Sequence, residues 1–113
     1  MRDAFVEEVH RLHAELCQAL ADPKRILILY ALAEEPRTVG ELAEGLHLRQ
    51  SNASQHLAVL RDRGLVTTER AGTRVTYSIA YPAVIQALDL LRAVLREKLE
   101  DTSRRAGRLM EIA

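Results

Sequence analysis

Residues Thr38 to Val66, TVGELAEGLHLRQSNASQHLAVLRDRGLV, carry two short helical patterns, a break between them and a closing glycine. Thr38 followed by Glu41 three residues later is a capping box, in which each side chain satisfies an orphan backbone donor at the other's position. That fixes where the first helix starts. The second pattern begins near Arg49 or Gln50 and places Ala53, Leu57 and Leu60, with Val59 beside them, at i, i+4 and i+7. This spacing turns one helical face toward a core. Gly64 then stands where a helix needs a residue that accepts the left-handed conformation. Two short capped helices joined by a tight break read as a helix-turn-helix over residues 38–64.

The outward face of the second helix narrows the chemistry. Gln50, Ser51, Asn52, Ser54, Gln55 and His56 crowd its first turns with side chains that both donate and accept hydrogen bonds, and Arg49, Arg61 and Arg63 add positive charge. A merely solvated helix usually carries Glu and Lys instead. Amides and small hydroxyls at a helix N-terminus suit base edges in the major groove, and the macrodipole there favours phosphate. The competing reading is a polar cap followed by an ordinary exposed face.

The whole chain has no net charge, with 16 Lys and Arg against 16 Asp and Glu, which by itself argues against a polyanionic partner. The distribution reverses that argument. Residues 1–22 sum to −3, while residues 49–74 hold five arginines against Asp62 and Glu69 and sum to +3. Affinity gained by releasing counterions from phosphates requires a local basic patch and not a basic whole.

Upstream, Phe5, Val9, Leu12, Leu16 and Leu20 form one stripe and predict an amphipathic helix over residues 3–21. Asp22-Pro23 breaks it, with Asp suited to cap and Pro to open a second helix running to about Ala33. That helix is apolar around most of its circumference and is expected at the centre. Glu34 to Arg37 is a polar loop. Downstream of Gly64 the period changes to two: residues 65–71 and 74–80 are rich in Val, Thr, Tyr and Ile, and predict a hairpin turning at Ala71-Gly72-Thr73. Behind such a helix pair the hairpin is a wing. Arg70, Thr73 and Arg74 at its tip and root are placed to reach phosphates or the minor groove. Val84, Leu88, Leu91 and Leu95 form a last stripe over residues 82–104, and the charged tail from Asp101 is expected to fray or to stay helical as far as Gly107.

The expected fold is therefore mainly α with a small β-hairpin, a winged helix-turn-helix of order α-α-α-α-β-β-α in a single domain, 1–113. The first and last helices expose stripes that a domain this small has no surface left to cover. Phe5, Val9, Leu12, Leu16, Val84, Leu88, Leu91 and Leu95 are accordingly assigned to a homodimer interface. No apolar run approaches the length of a membrane span, and MRDAFVEEVH is too acidic for a targeting peptide, so a cytoplasmic protein without a membrane partner is expected. No nucleophile or acid/base constellation suggests an enzyme. Cys17 is the only cysteine, which excludes an intrachain disulfide.

The segments Ala19-Leu20-Ala21-Asp22-Pro23-Lys24-Arg25 before Ile26-Leu27, Glu41-Leu42-Ala43, Ser54-Gln55-His56-Leu57 with Leu60-Arg61, Gly64-Leu65-Val66, and Gly72 with Arg74 and Tyr77-Ser78 resemble the ArsR/SmtB family of small dimeric winged-helix repressors. The resemblance spans about Leu16 to Leu95. It implies a transcriptional repressor that binds an inverted-repeat operator as a homodimer and leaves it on meeting a metal ion, thiol chemistry or a small molecule. The alternative is a winged-helix interaction module that does not bind DNA.

The resemblance also implies two familiar metal sites, and this chain departs from both. Where the thiolate site would have cysteines, before the recognition helix, stand Thr38 and Gly40. The last helix contains no histidine, and Asp89, Glu97 and Glu100 alone are poor zinc ligands. The remaining candidates are His10, His13 and Cys17, which a regular helix would bring within about a sixth of its circumference. They could offer two imidazoles and a thiolate to Zn, Ni or Cu, or Cys17 could act alone as a redox thiol. The plainer reading puts Cys17 and His13 at the edge of the apolar stripe and His10 in water.

Overall fold

The computed structural model describes residues 1–112 and divides the chain into two compact units, Met1–Pro82 and the helix that starts at Ala83. The sequence predicts one unit over 1–113.

Within the first unit, α1 (Asp3–Leu12) runs into a π-helical turn (His13–Cys17) and a 3-10 turn (Ala19–Ala21). The expected continuous α-helix over 3–21 is thus interrupted, and the amide of Gln18 donates to the carbonyl of His13 at 3.0 Å across the wide turn. A π-turn inserts the equivalent of one residue and rotates everything beyond it. Phe5, Val9 and Leu12 upstream remain exposed, while Leu16 and Leu20 are half-buried and Ala19 is buried.

Helix α2 (Pro23–Glu34) begins as its sequence requires, with Pro23 at its first position and the Asp22 carboxylate accepting the Lys24 amide at 2.8 Å. It packs against α3 (Val39–Leu46), α4 (Gln50–Asp62) and the wing. Ile28, Leu29 and Leu32 are buried there, although Leu27 on the opposite side remains exposed. The capping box of α3 is formed in both directions: Thr38 Oγ1 accepts the Glu41 amide at 3.2 Å, and the Thr38 amide donates to Glu41 Oε1 at 2.8 Å. His47 ends α3 in the left-handed region (φ 56°), and Leu48 donates back to the Ala43 carbonyl at 2.8 Å. This tight reversal is the turn between the two helices.

Strands β1 (Val66–Ala71) and β2 (Arg74–Ile79) pair antiparallel with Ala71 opposite Arg74, leaving Gly72 and Thr73 as the loop. Gly72 has φ +64° and Thr73 does not share that sign, the pattern of a II′ turn, which matches the twist of a hairpin. A third, single-residue strand escaped the sequence reading. Arg37 bridges to Tyr77, exchanging hydrogen bonds of 3.0 and 2.8 Å, so the loop before α3 forms the edge of the wing.

The second unit is α5 (Ala83–Ile112), which remains helical past Gly107 through the tail where fraying was one expectation. Arg104 pairs with Asp101 at 3.0 Å along it. None of the described helices is long and apolar enough to cross a membrane.

Two cap carboxylates set the acid behaviour of the fold. The Lys24 amide holds the Asp22 carboxyl below its ordinary range, with smaller help from the charges of His56, Arg25 and Lys24. The Thr38 amide does the same for Glu41, aided by the Thr38 hydroxyl, Arg74 and Arg37. A carboxyl lowered by folding contributes stability that is complete above its unfolded pKa, about 4, and is lost as pH falls through the lower folded value. Asp22→Asn with Glu41→Gln, which retain hydrogen-bonding capacity without titrating there, are expected to flatten the acid limb of urea-measured stability below about pH 4. An acid limb of unchanged slope would assign acid lability to other groups.

Candidate nucleic-acid interface

Helix α4 is divided lengthwise by burial. Ala53, Leu57 and Leu60 are completely buried, and Gln50, Ser51, Ser54 and Gln55 are exposed. None of these four makes a side-chain hydrogen bond to another described residue, so their donors and acceptors face outward unspent. Arg49, the N-cap residue, and Arg61 are likewise exposed and without an ion pair among the described residues. Asn52 is half-buried, between the two classes. No side chain caps the N-terminus of α4, which leaves its first amides and the positive end of its dipole open to an anion.

His56 differs from its neighbours in the sequence. It is half-buried, and its Nδ1 lies 3.4 Å from an Arg25 guanidinium nitrogen on α2. One face of its ring is thus engaged within the protein, where the sequence placed it among the outward group.

The wing is tied to the helix-turn-helix at two points. One is the Arg37–Tyr77 bridge; the other is an ion pair of 3.2 Å between Arg74 and Glu41, the carboxylate that closes the α3 capping box. Arg74 pairs with Ala71 across the two-residue loop and so belongs to the wing tip with Arg70 and Thr73, and not to the root where the sequence reading put it, while its side chain reaches Glu41 at the start of α3. Arg37 anchors the opposite end of this link, its guanidinium donating to the Ala31 carbonyl at 3.2 Å and to Glu34 at 2.9 Å. Neither Arg37 nor Arg25 stood out in the sequence as a site residue. Arg25 belongs to the Asp22-Pro23-Lys24-Arg25 run, which was a usable signal; the single-residue bridge of Arg37 has no local pattern.

Arg63 belongs elsewhere. It lines a shallow groove with Glu7, Glu8, Arg11 and Glu15, at the far end of α4 from the polar turns.

Among the described residues no group of three His, Cys, Asp or Glu side chains is placed together to hold an ion, and His10, His13 and Cys17 are not brought into one cluster. Seven residues separate His10 from Cys17, about 10 Å along a helix axis, and the π-turn shifts Cys17 from the phase that a regular helix would give it. Cys17 is exposed as a free thiol. Of the positions where the family resemblance expects thiolates, Thr38 is occupied by its capping role and Gly40 has no side chain.

Residues 22–68 match the profile of the arsR family of bacterial regulatory proteins. Rv0081, an HTH-type transcriptional regulator of Mycobacterium tuberculosis, is 44% identical over 96 residues, 84% of each chain. The chain belongs to the arsR family. Its fold agrees with the crystal structure of Rv0081 at a TM-score of 0.73 over 82% of this chain and 94% of that one. It agrees equally, at 0.73 with 33% identity over 88% and 92% of the two chains, with the homodimeric winged helix-turn-helix DNA-binding domain of Mb0332 from Mycobacterium bovis. This arsR-family chain is a transcriptional regulator of winged-helix fold.

Proposed function

We propose that this regulator is a cytoplasmic repressor that binds an inverted-repeat operator as a homodimer, with α4 as its recognition helix. The observation that carries the reading is the division of α4: an inner face without exposed surface and an outer face of amides and hydroxyls without partners. A merely solvated helix usually carries Glu and Lys on its outer face, whereas a helix that reads base edges requires groups that both donate and accept. Gln50, Ser51, Asn52, Ser54 and Gln55 are assigned to bases. Arg49, Arg61, Arg70, Thr73 and Arg74 are assigned to phosphates or the minor groove.

The dimer reading rests on exposed apolar surface. Phe5, Val9 and Leu12 of α1 keep nearly half of their surface, and Leu91 and Leu95 of α5 are 62% and 56% exposed. Leu16 and Val84 are half-buried, and Leu88 is already buried in the single chain. Leu91 and Leu95 are therefore better reporters of a subunit seam than Leu88. Twofold symmetry would set two recognition helices about one helical turn of DNA, roughly 34 Å, apart.

For release, the family's thiolate and histidine routes have no ligands here. We assign a thiol-directed signal to Cys17, through a bridge between subunits or a capped sulfur, because one thiol cannot close an intrachain disulfide.

Gln55→Ala is expected to relax base preference by about 1–3 kcal/mol at one position per half-site. Arg74→Ala should weaken binding to all sequences and lower the salt slope by about one per subunit; fluorescence anisotropy across salt and operator variants separates the two. Should Arg74→Ala change base preference alone, the wing has been assigned wrongly. Leu91→Glu with Leu95→Glu should sediment as a monomer with little operator affinity, and a dimer in that experiment would remove α5 from the seam. Arsenite, cadmium and lead should leave the operator complex intact, whereas peroxide or persulfide should release the wild type and not Cys17→Ser. Release of both proteins alike would place the effector site elsewhere.

A further inference from the structure

The apolar contacts that hold α4 to the core are strong but not directional. Ala53, Leu57 and Leu60 fix which face of the helix is inward, and apolar burial sets that face less sharply than a hydrogen bond would. A hydrogen bond adds directional restraint to that packing, and among the described residues α4 has one side-chain hydrogen bond to the rest of the chain, between His56 and Arg25. Arg25 is itself fixed. Its Nε donates to the Ala19 carbonyl at 2.6 Å and another guanidinium nitrogen donates to the Gln18 carbonyl at 3.2 Å, so two of its donors grip the backbone at the end of the first helical segment. The third points at His56 Nδ1 at 3.4 Å.

A guanidinium has no acceptor, so the contact is a hydrogen bond in the neutral tautomer that carries its lone pair on Nδ1 and its proton on Nε2. His56 also immediately follows Gln55, the outward residue whose pose decides which base edge it meets. A rotation of α4 by 20° displaces a side-chain tip at about 6 Å radius by roughly 2 Å, enough to break a hydrogen bond.

We propose that Arg25 and His56 are positioning residues that fix the rotational setting of α4, and with it base selectivity, without contacting a base themselves. This rests on α4 being the recognition helix. Arg25 can span its three acceptors because its donors form a planar fork; a lysine ammonium is a point donor and cannot reproduce that reach.

The test uses the full-length chain and a duplex enriched by the wild type from a random-sequence library, with a scrambled duplex of equal length as reference. The readout is the ratio of the two affinities, with thermal unfolding in parallel. Arg25→Ala and His56→Ala are each expected to lower the ratio about tenfold through the selected duplex, leaving scrambled-duplex affinity within about twofold, and the double variant should be no worse than either single one. His56→Gln, whose carbonyl can accept from the guanidinium, should recover most of the ratio, and Arg25→Lys should not. If Arg25→Ala unfolds, the His56→Ala and His56→Gln pair still decides. Additive losses, equal losses on both duplexes, or failure of His56→Gln to recover would overturn the proposal. A wild type that enriches no sequence would overturn the recognition-helix reading, and this inference with it.

Discussion

The structure depends on the burial of one face of α4. Ala53, Leu57 and Leu60 lose all exposure, and a fully buried leucine contributes about 1.5–3 kcal/mol relative to an exposed one. That face meets α2, whose own buried residues Ile28, Leu29 and Leu32 serve α3 and the wing as well as α4. Because the inner face supplies the packing energy, the outer face is released from any structural duty. It can hold Gln50, Ser51, Ser54 and Gln55, which would be poor choices if the helix had to be stabilised from outside.

Features governed by local chemistry were legible in the sequence. The Thr38–Glu41 capping box, the Asp22 cap with Pro23, the left-handed Gly64 and the hairpin turn at Gly72 follow from side chains acting within four residues of one another. What escaped depends on chain segments meeting at a distance. Arg37 pairs with Tyr77 across 40 residues, and Arg25 meets His56 across 31. The π-turn at His13–Cys17 escaped for a different reason: an apolar stripe read at 3.6 residues per turn continues smoothly through it, and the shift is revealed by the Gln18 amide reaching the His13 carbonyl. The arc that His10, His13 and Cys17 would share on a regular helix changes phase at the same turn.

Zero net charge is consistent with a polyanion partner once the charges are placed. Glu7, Glu8 and Glu15 line a groove beside α1, and they have Arg63 as a neighbour there. The arginines near the polar end of α4 and on the wing, Arg49 and Arg70, have no acidic partner among the described residues. The exposed charges are screened over about 8 Å at physiological ionic strength, so an acidic α1 does little to reduce attraction at a distant face. Separation of the charges, and not their sum, sets the local field.

Arg74 is the exception, since it already holds Glu41, yet the pairing suits an interface residue. Both side chains are about half exposed or more, and ion pairs in that setting contribute roughly 0–1 kcal/mol. Exchanging Glu41 for a phosphate would therefore cost the fold little. Glu41 would not be left idle by the exchange, because the Thr38 amide still donates to it at 2.8 Å and the α3 cap stays closed. A carboxylate with two partners keeps the arginine oriented at the wing tip before DNA arrives, reducing the side-chain entropy lost on binding, and can surrender it without disturbing the helix that it caps.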